Sequence, residues 1–222
     1  MTHKKFFIPL WVSLALVFLW SLINPHDLFT WFLEVFPVIA GVIILVCTYS
    51  KFKFTRLSYF LLWCHAIILL IGGHYTYAEV PFFNWLKDVF ELSRNHYDRV
   101  GHLAQGFFPA IVAREILLRT SPLRPGKWLF FLVTCVCLSF SAFYELIEWR
   151  VAVTTGTAAE AFLGTQGDIW DTQWDMALAL AGAIFSLLVL GKIHDTFLKN
   201  IKGQRTDQIP ISLETSKSSE ST

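Results

Sequence analysis

The chain has 222 residues, of which 17 are acidic and seven are histidine. Those acids and histidines that stand in or against apolar sequence gather in a few short stretches. Arg94-Asn95-His96-Tyr97-Asp98-Arg99 leads to His102, and Tyr144-Glu145-Leu146-Ile147-Glu148-Trp149 closes a long apolar run. Gly167-Asp168-Ile169-Trp170-Asp171-Thr172-Gln173-Trp174-Asp175 opens another, and Gly72-Gly73-His74-Tyr75-Thr76-Tyr77 ends a third. The spacing is helical. Asp98 and His102 stand at i and i+4 with Gln105 on the same face, Glu145 and Glu148 at i and i+3, and Asp168, Asp171 and Asp175 at i, i+3 and i+7.

Carboxylates on one stripe repel one another unless they are protonated, paired with Arg, or bridged by a cation. Oxygen and imidazole ligands at such spacings suit a divalent ion such as Zn²⁺, Mn²⁺ or Mg²⁺. The candidate metal ligands are His96, Asp98, His102, Glu145, Glu148, Asp168, Asp171 and Asp175. His102, Glu145, Asp171 and Asp175 are also the candidates for acid–base work or for activating water. Arg94 and Arg99, whose guanidinium groups match a phosphate, and His74 are the candidates for holding a substrate. A plainer account exists. Asp, Arg, Trp and Tyr anchor helix ends at the headgroup level, and Asp168 and Asp171 could favour a helix dipole, with Asp168 as its cap. That account fits His102, Glu145 and Asp175 less well, because they lie within or against apolar sequence.

The elements that must position these groups are transmembrane helices. Apolar residues make up 55% of the chain and charged residues 16%, against about a quarter charged in a soluble domain. A spanning helix needs about 20 mainly apolar residues. Six segments qualify, at about 6–23, 28–49, 57–73, 100–118, 127–147 and 173–190. The second carries Glu34 and Pro37. The fourth is the most polar, holding His102, Gln105, Pro109, Arg114 and Glu115. With the N-terminus inside, 14 of the 18 Lys and Arg residues fall on the inner side. Only Lys87, Arg94, Arg99 and Arg150 stay outside, which is a strong positive-inside bias. A five-span arrangement would export the basic tail. The fold class expected is therefore all-α, a polytopic transmembrane helix bundle of about six spans, N-in and C-in. One domain covers 1–200, and a Ser-, Thr-, Lys- and Glu-rich cytoplasmic tail at 201–222 is expected to be disordered. The run after Lys4 and Lys5 is read as an uncleaved first helix, because no small-x-small site follows it. In this topology every polar stretch named above lies at the outer end of its helix.

Other residues carry less. Cys47, Cys64, Cys135 and Cys137 form no CxxC pair and read as small buried hydrophobes. His65 reads as a packed, hydrogen-bonded residue, and Arg114 as an arginine that snorkels to the cytoplasmic interface. The chain has no GxSxG, Walker loop, GxGxxG or HExxH. No basic block points to nucleic acid.

Taken together, GGHYTY at Gly72, RNHYDRVGHLAQGF at Arg94, YELIEW at Tyr144 and GDIWDTQWDM at Gly167 resemble the YjdF-like family of bacterial inner-membrane proteins. The resemblance covers roughly residues 6–200 and implies a multi-pass location in the cell inner membrane, without supplying a reaction. The chain is more faintly similar to VanZ-like membrane proteins, whose pattern is Asp-Lys-x-x-His, Glu-x-x-Gln and Asp-x-x-Asp-x-x-x-Asn. Here Arg99, Glu148 and Asp175 replace the Lys, Gln and Asn of that pattern. This similarity implies action at the cell envelope.

Three functions remain open from the sequence. The first is a membrane protein of unassigned biochemical role, whose polar motifs lock helix ends together. The second is an outward-facing, metal-dependent enzyme acting on a lipid or envelope precursor. The third is part of an ion or solute transporter. The partner common to all three is the lipid bilayer. A transport path should continue to the inner side, where the sequence offers only His65, Arg114 and Glu115.

Overall fold

The computed structural model describes residues 3–156 and 160–206. Among these, all regular structure is helical: α1 (His3–Leu22), α2 (Leu28–Thr48), α3 (Arg56–Tyr75), α4 (Pro81–Val89), α5 (Tyr97–Thr120), α6 (Lys127–Thr155), α7 (Glu160–Leu163) and α8 (Asp171–Thr206). A single 3-10 turn, Tyr77–Glu79, separates α3 from α4.

Local chemistry sets the boundaries. Between α1 and α2, Asn24 takes a left-handed φ of 48° just before Pro25, and Asp27 caps α2 by accepting from the Thr30 N–H at 2.6 Å. The same cap holds the Asp27 carboxyl below its ordinary range, chiefly through that backbone hydrogen bond. Thr55 caps α3 by accepting from the Ser58 N–H at 3.2 Å. Thr76, with a φ of 51°, turns the chain out of α3.

Five helices, α1, α2, α3, α6 and α8, are long and apolar enough to cross a membrane. α5 is too polar to pass on composition, yet its contacts fix its course. At one end Asp98 and His102 meet Asp175, near the start of α8. At the other, Glu115 meets His194, far along α8. α5 therefore runs antiparallel to α8 from the one ion pair to the other. At 1.5 Å per residue that is roughly 20 Å along α5 and roughly 28 Å along α8, against the ~30 Å hydrocarbon core. α5 is the centre of the bundle, with α3, α6 and α8 packed around it. Its polar side chains are buried among helices, which is how intramembrane charge is tolerated.

α5 and α8 approach backbone to backbone. A Cβ on Gly106 would sit 1.8 Å from the Ala179 carbonyl oxygen, and one on Gly182 only 2.2 Å from that of Leu103. Side chains pointing away from the bundle are apolar, as at Leu16, Phe140 and Leu188, and suit contact with lipid tails.

Several expectations are corrected by the fold. The stretch between the third and fourth spans is not an open loop, for it contains α4. α5 begins at Tyr97, so Asp98 and Arg99 are helical. α6 continues about two turns past Ile147 to Thr155. α8 starts at Asp171 and runs through Gly203 to Thr206, so Asp168 precedes the helix and shares no helical stripe with Asp171 and Asp175. Residues 207–222 of the expected tail lie outside the described residues. Of the four cysteines only Cys137 is buried, and Cys47 is exposed on the apolar outer surface of α2. Arg114 is buried rather than snorkelling. It donates to His194 Nδ1 at 2.9 Å and to Asp195 at 2.7 Å. His65 packs against Phe108, but its Nε2 has no hydrogen-bond partner among the described residues.

Candidate functional site: a buried carboxylate–histidine cluster

The outer ends of α5, α6 and α8 bring together six carboxyl groups: Asp98, Glu145, Glu148, Asp168, Asp171 and Asp175. They share two guanidinium groups, Arg94 and Arg99, and one imidazole, His102. All but Asp168 and Arg99 are buried. The group divides into two halves with different character.

The outer half is closed by arginine. Arg94, in the segment before α5, donates to Asp171, to Asp98 at 3.3 Å and to the Gly164 carbonyl at 3.0 Å, with Asp168 at 3.7 Å. Arg99 donates to Asp168 at 2.6 Å and lies over the Trp174 ring. Asp168 also accepts from the Trp170 N–H at 2.9 Å, which orders the turn into α8. The neighbouring Asn95 donates its backbone N–H to Gln166 Oε1 at 2.9 Å and accepts from Gln166 Nε2 at its carbonyl at 2.9 Å, clasping the segment before α8 to the start of α5. Arg94 is thus engaged by protein oxygens, and holding a substrate headgroup would require it to give these up.

The deeper half lacks such closure. His102 Nδ1 lies 3.1 Å from Gln105 Oε1, a carbonyl oxygen that can only accept, so Nδ1 carries the proton. The other nitrogen, Nε2, faces Asp98 at 3.5 Å, Glu145 at 3.8 Å and Asp175 at 3.9 Å. A neutral ring would direct a lone pair at three carboxylates. A proton or a cation on that nitrogen, or a proton on one of the facing carboxyl groups, resolves the repulsion. Glu145 Oε1 and Asp175 Oδ1 are buried and have no hydrogen-bond partner among the described residues. Two sets, Asp98–His102–Asp175 and His102–Glu145–Glu148, each place their ligand atoms within 4.8 Å of one another. His102 belongs to both sets, so an ion bound at its Nε2 would take its carboxylates from one set or the other. A cleft of about 170 Å³ adjoins them, lined by Glu145, Glu148, Asp171, Thr172 and the apolar walls of Trp149 and Leu163.

Not every candidate joins the cluster. His96 stands half-buried at the N-cap of α5, outside both ligand sets. Burial, then the nearby Arg99 and Arg94, hold its imidazole below the ordinary range, which favours the neutral ring. His74 is turned toward α1. It bonds to the Ser21 carbonyl at 3.1 Å and lies against Trp20. Glu34, unselected from sequence, is buried beside the cluster and accepts from the Tyr144 hydroxyl at 3.4 Å. Its position inside an apolar helix was the signal that marked it.

The sequence also missed a second buried network at the inner ends. The carboxylate of Glu115 accepts from the Thr55 N–H and hydroxyl, the Ser58 hydroxyl, Arg119 and His194. Every acceptor site there is filled, so it acts as a clamp joining α3, α5 and α8. An apolar groove of about 110 Å³ between α1, α2 and α3 lies elsewhere and has no carboxylate in its lining.

Long helices whose outer ends bury carboxylates around one imidazole define the class: a polytopic helical membrane protein with a polar site inside its bundle. Residues 6–196 match the family described as "Predicted membrane protein (DUF2238)", and the chain belongs to that family. It is 49% identical over 183 residues to "Inner membrane protein YjdF" of Escherichia coli (strain K12), which covers 82% of this chain and 88% of that one. The resemblance read from the four motifs is borne out, and the protein is a multi-pass protein of the inner membrane. No solved structure matches.

Proposed function

We propose that the protein binds a divalent cation through His102, with Asp98 and Asp175 or with Glu145 and Glu148, and uses the site on the outer side of the membrane to act on the polar end of a lipid or envelope precursor. One observation carries the reading. His102 Nε2 faces Asp98, Asp175 Oδ2 and Glu145 Oε1, the last a buried oxygen without a hydrogen-bond partner among the described residues, in a region with more carboxylates than cations. Buried carboxylates without partners are costly, and a cation is the group that relieves them. One imidazole with several carboxylates fits Mn²⁺, Zn²⁺ or Mg²⁺. Gln105 supports the ligand role, since its bond to Nδ1 fixes the ring and leaves Nε2 to bind. An ion there would polarise an ester or phosphoryl oxygen, or lower the pKa of a bound water. Asp171 and Glu148 line the adjoining cleft, where either could take a proton from a nucleophile.

A purely structural role has support of its own in the Arg94 half, whose ion pairs lock the starts of α5 and α8 together without leaving a free ligand atom on Asp171 Oδ1. Transport is less favoured. Below the cluster, α5 and α8 touch through their backbones, and the inner network is saturated by its own partners.

The test is metal analysis of protein purified in detergent, stripped with a chelator and re-equilibrated with Mn²⁺, Zn²⁺ or Mg²⁺. The folded wild type should retain a stoichiometric ion, and His102→Ala and Asp175→Asn should lose it. A folded wild type that takes up none of the three would remove the proposal and leave the structural role.

A further inference from the structure

α4 follows the 3-10 turn and starts with Pro81, a residue suited to the first helical position. None of its residues is buried. Phe82, Trp85 and Val89 stand at i, i+3 and i+7 and form one apolar stripe, each more than half exposed at 60%, 56% and 53%. The rings of Phe82 and Trp85 stack at 5.8 Å, so the stripe is continuous. Asn84, Lys87 and Asp88 occupy the opposite side. No described residue covers the stripe.

The depth of α4 is fixed by its anchors. Phe83 packs on Tyr97, the first residue of α5, with ring centroids 5.3 Å apart. Asn95, fully buried, donates to the Val80 carbonyl at 3.1 Å and to Asn84 Oδ1 at 2.8 Å. Asn84 in turn donates to Glu79 at 3.1 Å. The first turn of α4 is therefore level with the first turn of α5, where that span leaves the hydrocarbon. Exposed Trp149, Trp170 and Trp174 come from the outer ends of α6 and α8. Tryptophans gather at that level of a membrane.

We propose that α4 is an in-plane helix of the outer leaflet, with Phe82, Trp85 and Val89 inserted at the boundary between headgroups and acyl chains. Its occupant is the lipid surface. Helices with one apolar and one polar face bind such interfaces. In water the stripe would leave three large apolar side chains exposed together. At the boundary those side chains leave water while Lys87 and Asp88 remain in it.

Nitroxide labels test this on full-length protein in which the four native cysteines have been replaced. Phe82→Cys, Trp85→Cys, Val89→Cys and Asp88→Cys variants are labelled singly and reconstituted into bilayers of phosphatidylethanolamine and phosphatidylglycerol. Power saturation then compares relaxation by oxygen, which enriches in lipid, with relaxation by a water-soluble nickel chelate. Positions 82, 85 and 89 should favour oxygen severalfold over position 88. The three stripe positions give independent readings if one variant fails to fold. Nickel access at all four would overturn the proposal by placing α4 in water. Protection of the stripe from both reagents would overturn it equally, because a protein surface such as a second copy would then be the occupant.

Discussion

At the residue scale, Glu148 shows how a helical position can mislead. Its place beside Trp149 reads as a headgroup-level carboxylate, yet it is buried with Glu145 and shares a ligand set with His102. The excess of buried acid makes a specific prediction about sign. In metal-free protein, Glu145→Gln and Glu148→Gln should each raise the melting temperature by relieving repulsion. Both should abolish the further rise that a binding divalent ion gives the wild type. Arg94→Ala should act in the opposite direction. Removing one partner of a buried pair strands Asp98 and Asp171, and such losses are typically about 3–5 kcal/mol. Thermal unfolding with and without metal measures both effects. Asp27 gives a pH dependence. Its carboxyl is held low in the folded protein by the Thr30 N–H, so its stabilising effect is full above the unfolded carboxylate pKa. It is lost as pH falls through the lower folded value. The stability difference between wild type and Asp27→Asn should therefore shrink as the pH is lowered into that window, read by melting temperature across an acid series.

At the element scale, the α5–α8 contact holds the two halves of the molecule's polar chemistry at a fixed separation. Gly106 and Gly182 allow it, because a side chain on either would meet a carbonyl of the other helix. Gly106→Ala and Gly182→Ala should each destabilise by about 1–3 kcal/mol or more, since the helices must part to admit the methyl group. Gly41→Ala is the control. Nothing lies within 4 Å of the added carbon there, so the better helix former should be neutral or slightly stabilising. The Glu115 clamp adds a second fixed point at the inner end. Arg114 can only donate, so His194 Nδ1 accepts and Nε2 carries the proton toward Glu115.

At the scale of the whole molecule, the Lys and Arg distribution predicts six crossings with both termini inside. Reporter fusions after Lys53, Arg124 and Lys199 should read cytoplasmic, and those after Asp27, Glu91 and Thr165 external. An external reading at Lys199 would remove the six-span arrangement. α5 is the helix at issue, because composition alone excludes it while its ion pairs near both ends hold it alongside α8, which is long and apolar enough to cross. The anchors of α4 and the Arg94 ion pairs meet at adjacent residues, so the outer surface helix and the polar cluster share one short piece of backbone.

The sequence by itself determined the class of fold and the family. Both follow from quantities that are local along the chain: runs of apolar residues and four short motifs. Helical spacing also placed Asp98 with His102, and Glu145 with Glu148, because residues three and four apart share a face whatever surrounds them. Only the tertiary structure decided which of those faces meet. It took Asp168 off the α8 stripe, turned His74 toward α1, left His96 aside and engaged Arg94 with protein oxygens. It also brought in Glu34 from α2 and built the inner clamp from Thr55, Ser58, Glu115 and His194, which lie on three helices. Such meetings depend on how helices rotate and cross, and here that is set by the close backbone contact between α5 and α8.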